Sequence, residues 1–416
     1  MIKTPYFLRV FCCLLIINTQ SLLAETLPHE DILLIDHTLT LHDLLEKSLP
    51  HYPNSQLLTA KKLELEARNI QAKSLLPSAS SVVLRNQNDR LTSRNGESEW
   101  EAGVDIPIWL KGQRQAREAI ASEMAKNLNT DATYLRLQLA GMIRDALWEV
   151  QLVQGLADIA KLKHAAALQL ERDVDKRVKS GDLALKDFLV IQTETLQAET
   201  EKINAEAEVQ HAKFRYMNLT GLHSMPAEFT ESKSSKQDVE ESHPVLQEAH
   251  GKIALSEQKR LLAHIETRDN PTFTLGTRSL RGAADTQHNT SLGLTLRIPL
   301  AADVRNAPLL ANAEMQLAEQ QMYLNQQLLL LKAAMHEAEH NLDVGEMQLE
   351  VLSKQNVIAQ KSLETAQKGF QLGELDLIDL IRVQTQAFHA NRLLKNQQIQ
   401  QLWNTARFNQ AVGELP

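Results

Sequence analysis

Cysteine is almost missing from this 416-residue chain: the two present, Cys12 and Cys13, are adjacent and close to the start. A protein without further cysteine has no disulfide framework, so packing or association must supply its stability. Aromatic residues make up only 4%, with 15 glycines and 12 prolines, while Leu, Ala, Gln and Glu fill the long central stretches. That is the composition of long helices. Positive charge is in the minority, with 44 Lys and Arg against 52 Asp and Glu and a formal net charge of −8. An acidic chain with no basic, aromatic-interleaved patch is not built for nucleic acid. Long hydrophobic runs are absent too. The run Val10–Ile17 is well short of the roughly 20 residues that span a bilayer as a helix, and no other segment comes closer. No Gly-rich phosphate loop, nucleophile elbow or paired-cysteine motif occurs, so an enzyme reading has no residues to rest on.

Residues 1–24 read as an export signal: Lys3 and Arg9 flank a short early region, the apolar run Val10–Ile17 follows, and Ala24 offers a small residue for cleavage. Both cysteines fall inside it, in no context that suits lipid attachment. Without Lys3 and Arg9 the net charge becomes −10 (−8 − 2).

The remaining chain is one unit written twice. Gly181–Glu194 matches Gly373–Gln386 with six identities in fourteen positions, an offset of 192 residues (373 − 181). The same offset relates Ile106-Pro107-Ile108 to Ile298-Pro299-Leu300, and one residue less relates Pro53 to Pro244. The expected division is a first unit over 25–222, a polar Ser/Lys/Glu-rich linker over 223–242, and a second unit over 243–416.

Each unit repeats one order of elements. An amphipathic helix comes first, expected over Leu41–Leu75 and Pro244–Thr267. A strand-turn-strand segment follows. Trp100, Ala102, Val104 and Ile106 alternate with polar residues or glycine after an Asn95-Gly96 turn; Leu292, Leu294, Leu296 and Ile298 alternate likewise in the second unit, whose partner strand is expected near Thr272–Ser279. Next comes a very long helix, about Lys111–Lys179 and Asp303–Leu372, about 100 Å at 1.5 Å per residue. Its apolar seam advances in steps of four and three, as Leu135, Leu139, Met142, Ala146, Val150, Val153 and as Leu324, Leu328, Leu331, Met335, Ala338, Leu342. That is coiled-coil spacing. Gly181 and Gly373 stop the long helices, and a second helix returns to near Gly221 and Gly413. The fold class expected is mainly α with a small β part. Four strands with one apolar face could form a small sheet in a soluble domain, or part of a membrane barrel; four cannot close a barrel alone, since the smallest have eight.

The export signal, the duplicated order, the Ile106-Pro-Ile-Trp-Leu-Lys-Gly-Gln-Arg114 segment and the Gly-x-Leu-x-x-x-Asp turns at Gly181 and Gly373 together resemble TolC-type outer-membrane efflux proteins, across nearly the whole chain. The resemblance implies a homotrimer whose two β-hairpins per chain supply four strands each to a twelve-stranded barrel in outer-membrane lipid, with long antiparallel coiled-coil helices forming a tunnel across the periplasm. It implies a periplasmic adaptor and an inner-membrane pump as partners. It places Gly181, Asp187, Gly373 and Asp379 at the periplasmic tip, where a threefold carboxylate ring would favour cations. Trp100, Val104, Ile106, Leu292, Leu294, Leu296 and Ile298 would then face lipid. Arg382 departs from the best-known member, which has an aspartate there; an Asp379–Arg382 pair at i, i+3 would neutralise much of such a ring. Asp187 and Asp379 also suit the positive N-terminal ends of their helices without any gate. The Trp109-Leu-Lys-Gly-Gln-Arg114 segment looks most like the CzcC-like branch, which serves metal-cation efflux.

His336-Glu-Ala-Glu-His340 fits the H-E-x-x-H pattern of zinc enzymes, but it lies beside the seam of an uninterrupted coiled coil with no third ligand in view, so no metal or cofactor site is expected. His29, His37 and His42 fall in what reads as an extended, exposed N-terminal arm. The competing reading is a soluble periplasmic coiled-coil scaffold or adaptor whose hairpins form an ordinary sheet.

Overall fold

The structure, a computed structural model, describes residues 32–416. The expected export signal at 1–24 lies outside them. The described elements run β1 (Leu34–Asp36), α1 (Leu41–Ser48), α2 (Ser55–Lys73), β2 (Ser81–Asn88), β3 (Ser98–Pro107), α3 (Gln113–Lys179), α4 (Leu185–Thr220), β4 (Ser224–Pro226), α5 (Pro244–Ile265), β5 (Thr272–Arg281), β6 (Asn289–Arg297), α6 (Asp303–Leu372) and α7 (Leu377–Ala411).

The long helices have 67 and 70 residues, so each is a rod of about 100 Å. They form because their sequences supply heptads on one face and no glycine cluster to stop them; Pro308 lies inside α6 but close to its start. Leu135, Leu139, Ala146 and Val150 are buried along α3, as are Met335, Ala338 and Leu342 along α6. The rods pair with their own returning helices, α3 with α4 and α6 with α7, and the two pairs join through α3 and α7. The lateral order of helices is therefore α4, α3, α7, α6.

The first unit departs from its expected opening helix. Leu41–Leu75 is broken into α1, a 3-10 turn at Leu49–His51, and α2. Pro50 and Pro53 explain the break, since a proline inside a helix removes a donor and clashes with the preceding turn. The arm expected around His37 and His42 is also not extended throughout: Thr40 caps α1 through a reciprocal pair with Asp43, and His42 sits in that helix. Hydrogen bonding to Thr40 holds the Asp43 carboxyl below its ordinary value.

The stretch 223–242 is not a free tether. Within it β4 pairs in parallel with β1, Leu34 opposite Ser224. Glu231 accepts two hydrogen bonds from Arg144 of α3, from Nε at 2.8 Å and Nη2 at 2.6 Å. Arg144 is only 2% exposed, and its Nη1 donates to Gln410 of α7 at 2.7 Å. Gln410 in turn donates to the Leu137 carbonyl. One buried guanidinium thus bolts the first long helix, the connecting stretch and the last helix together.

A second joint is repeated in both units. The His51 ring lies against Gly221 and the His243 ring against Gly413, both pairs separated by the 192-residue offset (243 − 51 and 413 − 221). Each glycine ends a returning helix with positive φ, +70° and +77°, and a Cβ there would stand 2.8 Å from His51 Cγ or 2.6 Å from His243 Cδ2. Only glycine fits both the backbone and the contact. His243 is buried; its Nδ1 accepts from the Val245 amide at 3.2 Å and caps α5.

Two outcomes follow from these joints. Arg144→Ala leaves Glu231 without its partner and costs about 3 kcal/mol, read as a lowered urea midpoint, because removing one partner of a buried pair strands the other. Burial pushes the His243 imidazole down to about 4 from its ordinary 6.5. The unfolded chain therefore binds the extra proton first, so this contribution is complete above pH 6.5 and is lost as pH falls towards about 4, on the order of 3 kcal/mol. His243→Asn keeps an acceptor for the cap and removes the titration; its stability profile is flatter over that window.

Candidate functional site

The four hairpin strands form one antiparallel sheet in the order β2-β3-β5-β6, the two units meeting at β3 and β5. Its register decides what each face carries, because side chains alternate across a strand and direct partners share a face. Val104 pairs with Val82 and Leu275, and Leu275 with Leu294. Ala102 pairs with Leu84 and Thr277, which pairs with Leu292; Ile106 pairs with Phe273, which pairs with Leu296. The rows place Trp100, Val104, Ile106, Leu292, Leu294 and Leu296 on one face. Ile298 follows β6 and is exposed, as are Trp100, Val104 and the three leucines. In this chain Leu292 is 73% exposed and Leu294 66%, values foreign to the core of a soluble sheet.

The opposite face, apart from Val83 and Leu280, is polar and electrically balanced. Arg278 Nε meets Glu99 Oε1 at 2.6 Å, and Arg278 and Arg85 each approach Glu101 at 3.6 Å. Thr274 donates to Asp105. The arginines 85, 278 and 297 on this face match the acids 99, 101 and 105 one for one. Strands β2 and β6, at the two ends, each have one edge without a partner.

Between sheet and rods sits the segment Trp109–Arg114. Its side chains close the C-terminal end of α2: Trp109 donates to the Leu75 carbonyl at 3.0 Å and Arg114 to that of Ala72 at 3.2 Å. Gln113 is buried, with Nε2 donating to Glu266 at 2.7 Å and Oε1 accepting from Asn270 at 2.7 Å. This joint sets how the hairpins leave the rods.

At the far end of the rods, Gly181 and Gly373 take left-handed conformations, φ +84° and +78°. Arg177 ties the two units there: Nη1 donates to the Phe370 carbonyl at 3.0 Å and Nη2 to that of Gln371 at 3.1 Å, with the guanidinium 4.7 Å from the Phe370 ring centre. Sequence reasoning missed Arg177, whose counterpart in the second unit is Gly369 (177 + 192), so the repeat itself gave no signal. Asp187 stands in the first turn of α4 and accepts from the Ala184 amide at 3.3 Å, a capping contact. Asp379 forms the i, i+3 ion pair with Arg382 at 2.9 Å, both partly exposed.

His336 and His340 are exposed on α6 while Met335 and Ala338 between and before them are buried. Among the described residues no group of three or more His, Cys, Asp or Glu side chains is placed to hold a metal ion. No helix among them is long and apolar enough to cross a membrane.

No protein-family model matches the sequence, and no curated protein matches it. Solved structures do match the fold. The outer-membrane protein VceC from Vibrio cholerae superposes with a TM-score of 0.69 at 16% identity, covering 90% of this chain and 97% of its own. The CmeC outer-membrane channel of Campylobacter jejuni gives 0.68 at 13%, covering 90% and 85%. The open state of the MtrE outer-membrane channel of Neisseria gonorrhoeae gives 0.67 at 14%, covering 92% and 91%. A helical rod bundle topped by a sheet that is apolar on one face and open at both edges is, over nine-tenths of this chain, the fold of these outer-membrane channels.

Proposed function

We propose that the chain is the outer-membrane channel component of a tripartite efflux system: a passive homotrimeric duct carrying substrate from the periplasm to the exterior. The observation that carries this reading is the sheet, with an exposed apolar face, a charge-balanced polar face and two unpaired edges. In hydrocarbon every backbone polar group must be satisfied, so an open four-stranded sheet is excluded there and a closed one is required. Three copies bring twelve strands, enough to close; one copy brings four, too few. The apolar face then meets lipid and the balanced face lines the pore.

Below the membrane the rods of about 100 Å form the conduit, and the turns at Gly181 and Gly373 make its periplasmic tip, where an adaptor and, through it, an inner-membrane pump engage. At that tip Asp379 is an aperture residue whose field is offset by Arg382, and Asp187 serves first as a helix cap. The resemblance of Trp109–Arg114 to the cation-efflux branch makes divalent metal cations the cargo to test first, through metal sensitivity of a strain lacking the gene.

The reading is tested by charge placed on either face of one strand. Leu294→Arg puts a cation at mid-membrane, costs about 2–4 kcal/mol and removes the protein from the outer-membrane fraction, whereas Thr295→Arg, one residue on and facing the pore, leaves insertion intact and changes single-channel conductance in planar bilayers. Equal tolerance of both, with the protein in the soluble periplasmic fraction, contradicts the duct and favours a soluble scaffold.

A further inference from the structure

The two faces of the sheet treat their arginines differently. On the polar face Arg278 and Arg85 lie against Glu99 and Glu101. On the apolar face Arg281 continues the row of Phe273, Leu275, Thr277 and Ser279 along β5, with Ser98 as its cross-strand partner. Among the described residues no carboxylate is in ion-pair contact with Arg281, nor with Arg90 or Arg94 in the adjoining β2–β3 turn. Arg281 reaches across to that turn instead, Nε and Nη2 donating to the Gly96 carbonyl at 3.2 and 3.1 Å. A guanidinium has five donors, so most of the fork stays open.

The β2–β3 turn is built to hold an arginine outward. Asp89, 6% exposed, turns its carboxylate onto the amides of Asn95 and Gly96 and the Ser93 hydroxyl, and its carbonyl accepts from the Arg94 amide at 3.0 Å. In the β5–β6 turn Asp285 accepts from the Gly282 amide at 2.8 Å. Two of the three turn acids are thus engaged with nearby main chain, Glu97 being the third, while Arg90 and Arg94 are exposed. Arg94 has φ +53°, the one non-glycine residue among those described in the left-handed region. Glycine would sit there without strain, so an arginine held in that conformation has its rationale in what the guanidinium meets.

Height along the strands identifies that partner. Successive rows of one face are two residues, about 7 Å, apart. Above the row of Leu84, Ala102, Thr277 and Leu292 comes that of Asn86, Trp100, Ser279 and Thr290, and above it Asn88, Ser98 and Arg281. An aromatic residue such as Trp100 marks the girdle where the lipid band of a barrel ends. The headgroup layer beyond the hydrocarbon is roughly 5–7 Å thick on each side, so Arg281, one row past Trp100, lies within it. The turns are the ends of the strands remote from the rods, which makes this the outer leaflet. We infer that Arg281 and Arg94, with Arg90 in the same turn, bind the phosphate groups of the outer-leaflet lipid. Guanidinium meets phosphate through two parallel hydrogen bonds, a match that a surface held at headgroup height can use. The inference rests on the duct reading and deepens it by naming the lipid chemistry that the rim of the sheet takes.

The test titrates the purified full protein, in non-ionic detergent, with the bisphosphorylated glycolipid lipid A and reads bound lipid by native mass spectrometry. Arg281→Gln with Arg94→Gly removes both guanidiniums, keeps a donor for the Gly96 carbonyl and relieves the backbone at 94. Affinity is expected to fall about tenfold or more, whereas Lys354→Gln, a charge lost far down α6, binds as the wild type does. Lipid A stripped of its phosphates, which needs no variant, is expected to bind the wild-type protein as weakly as lipid A binds the double variant. Unchanged affinity in the double variant, or equal binding of the stripped lipid, overturns the inference. Displacement of lipid A by millimolar inorganic phosphate overturns the lipid as the ligand and makes the site one for a free anion. Fractionation separates the two readings: wild-type protein that reaches the outer membrane yet binds both lipids alike refutes this inference alone, and wild-type protein absent from that membrane refutes the duct as well.

Discussion

Unsatisfied edges are the constraint on which the rest of this molecule depends. A strand edge that faces hydrocarbon has backbone donors and acceptors with nothing to bind, a cost of several kcal/mol per group, and no side-chain choice removes it. Strands β2 and β6 leave unpaired edges at both ends of the sheet, and α4 and α6 carry exposed apolar residues. The chain is thus an arc with two open flanks. Its apolar face, its long rods and its internal bolts have a common rationale once arcs are joined side by side.

Internal duplication supplies that arc economically. Two similar units joined in one chain meet at β3–β5 in the sheet and at α3–α7 in the rods, which leaves first-unit elements on one flank and second-unit elements on the other. The polar joints hold this geometry alongside small apolar clusters at the waist and the tip. Arg144, Glu231 and Gln410 link units across the waist, Arg177 links them at the tip, and the two histidine–glycine contacts fix where the returning helices end. Each replaces bulk by a directional contact, as a thin-walled structure demands.

Much of this was legible in the sequence. The 192-residue repeat, the heptads of α3 and α6, the stopping glycines and the alternation at Trp100–Ile106 and Leu292–Ile298 are local patterns, and local patterns survive into the structure. What escaped depends on distant partners. Pro50 and Pro53 were visible, yet the helical periodicity around them masked the break between α1 and α2. Arg144 sits between Met142 and Ala146 of the seam, and nothing local in the sequence marks it as buried, because its partner Glu231 lies 87 residues away. The composition of 223–242 reads as a linker because pairing of β1 with β4 needs only three residues each. At the tip, Asp379–Arg382 followed from i, i+3 spacing, whereas Arg177 acts on main-chain carbonyls that carry no sequence signal.

The most direct test of the account is the mass of the purified particle in detergent, corrected for bound detergent by light scattering. The account requires three chains per particle, elongated by a stalk of about 100 Å. A single-chain mass for material that remains dispersed after the detergent is withdrawn would contradict it.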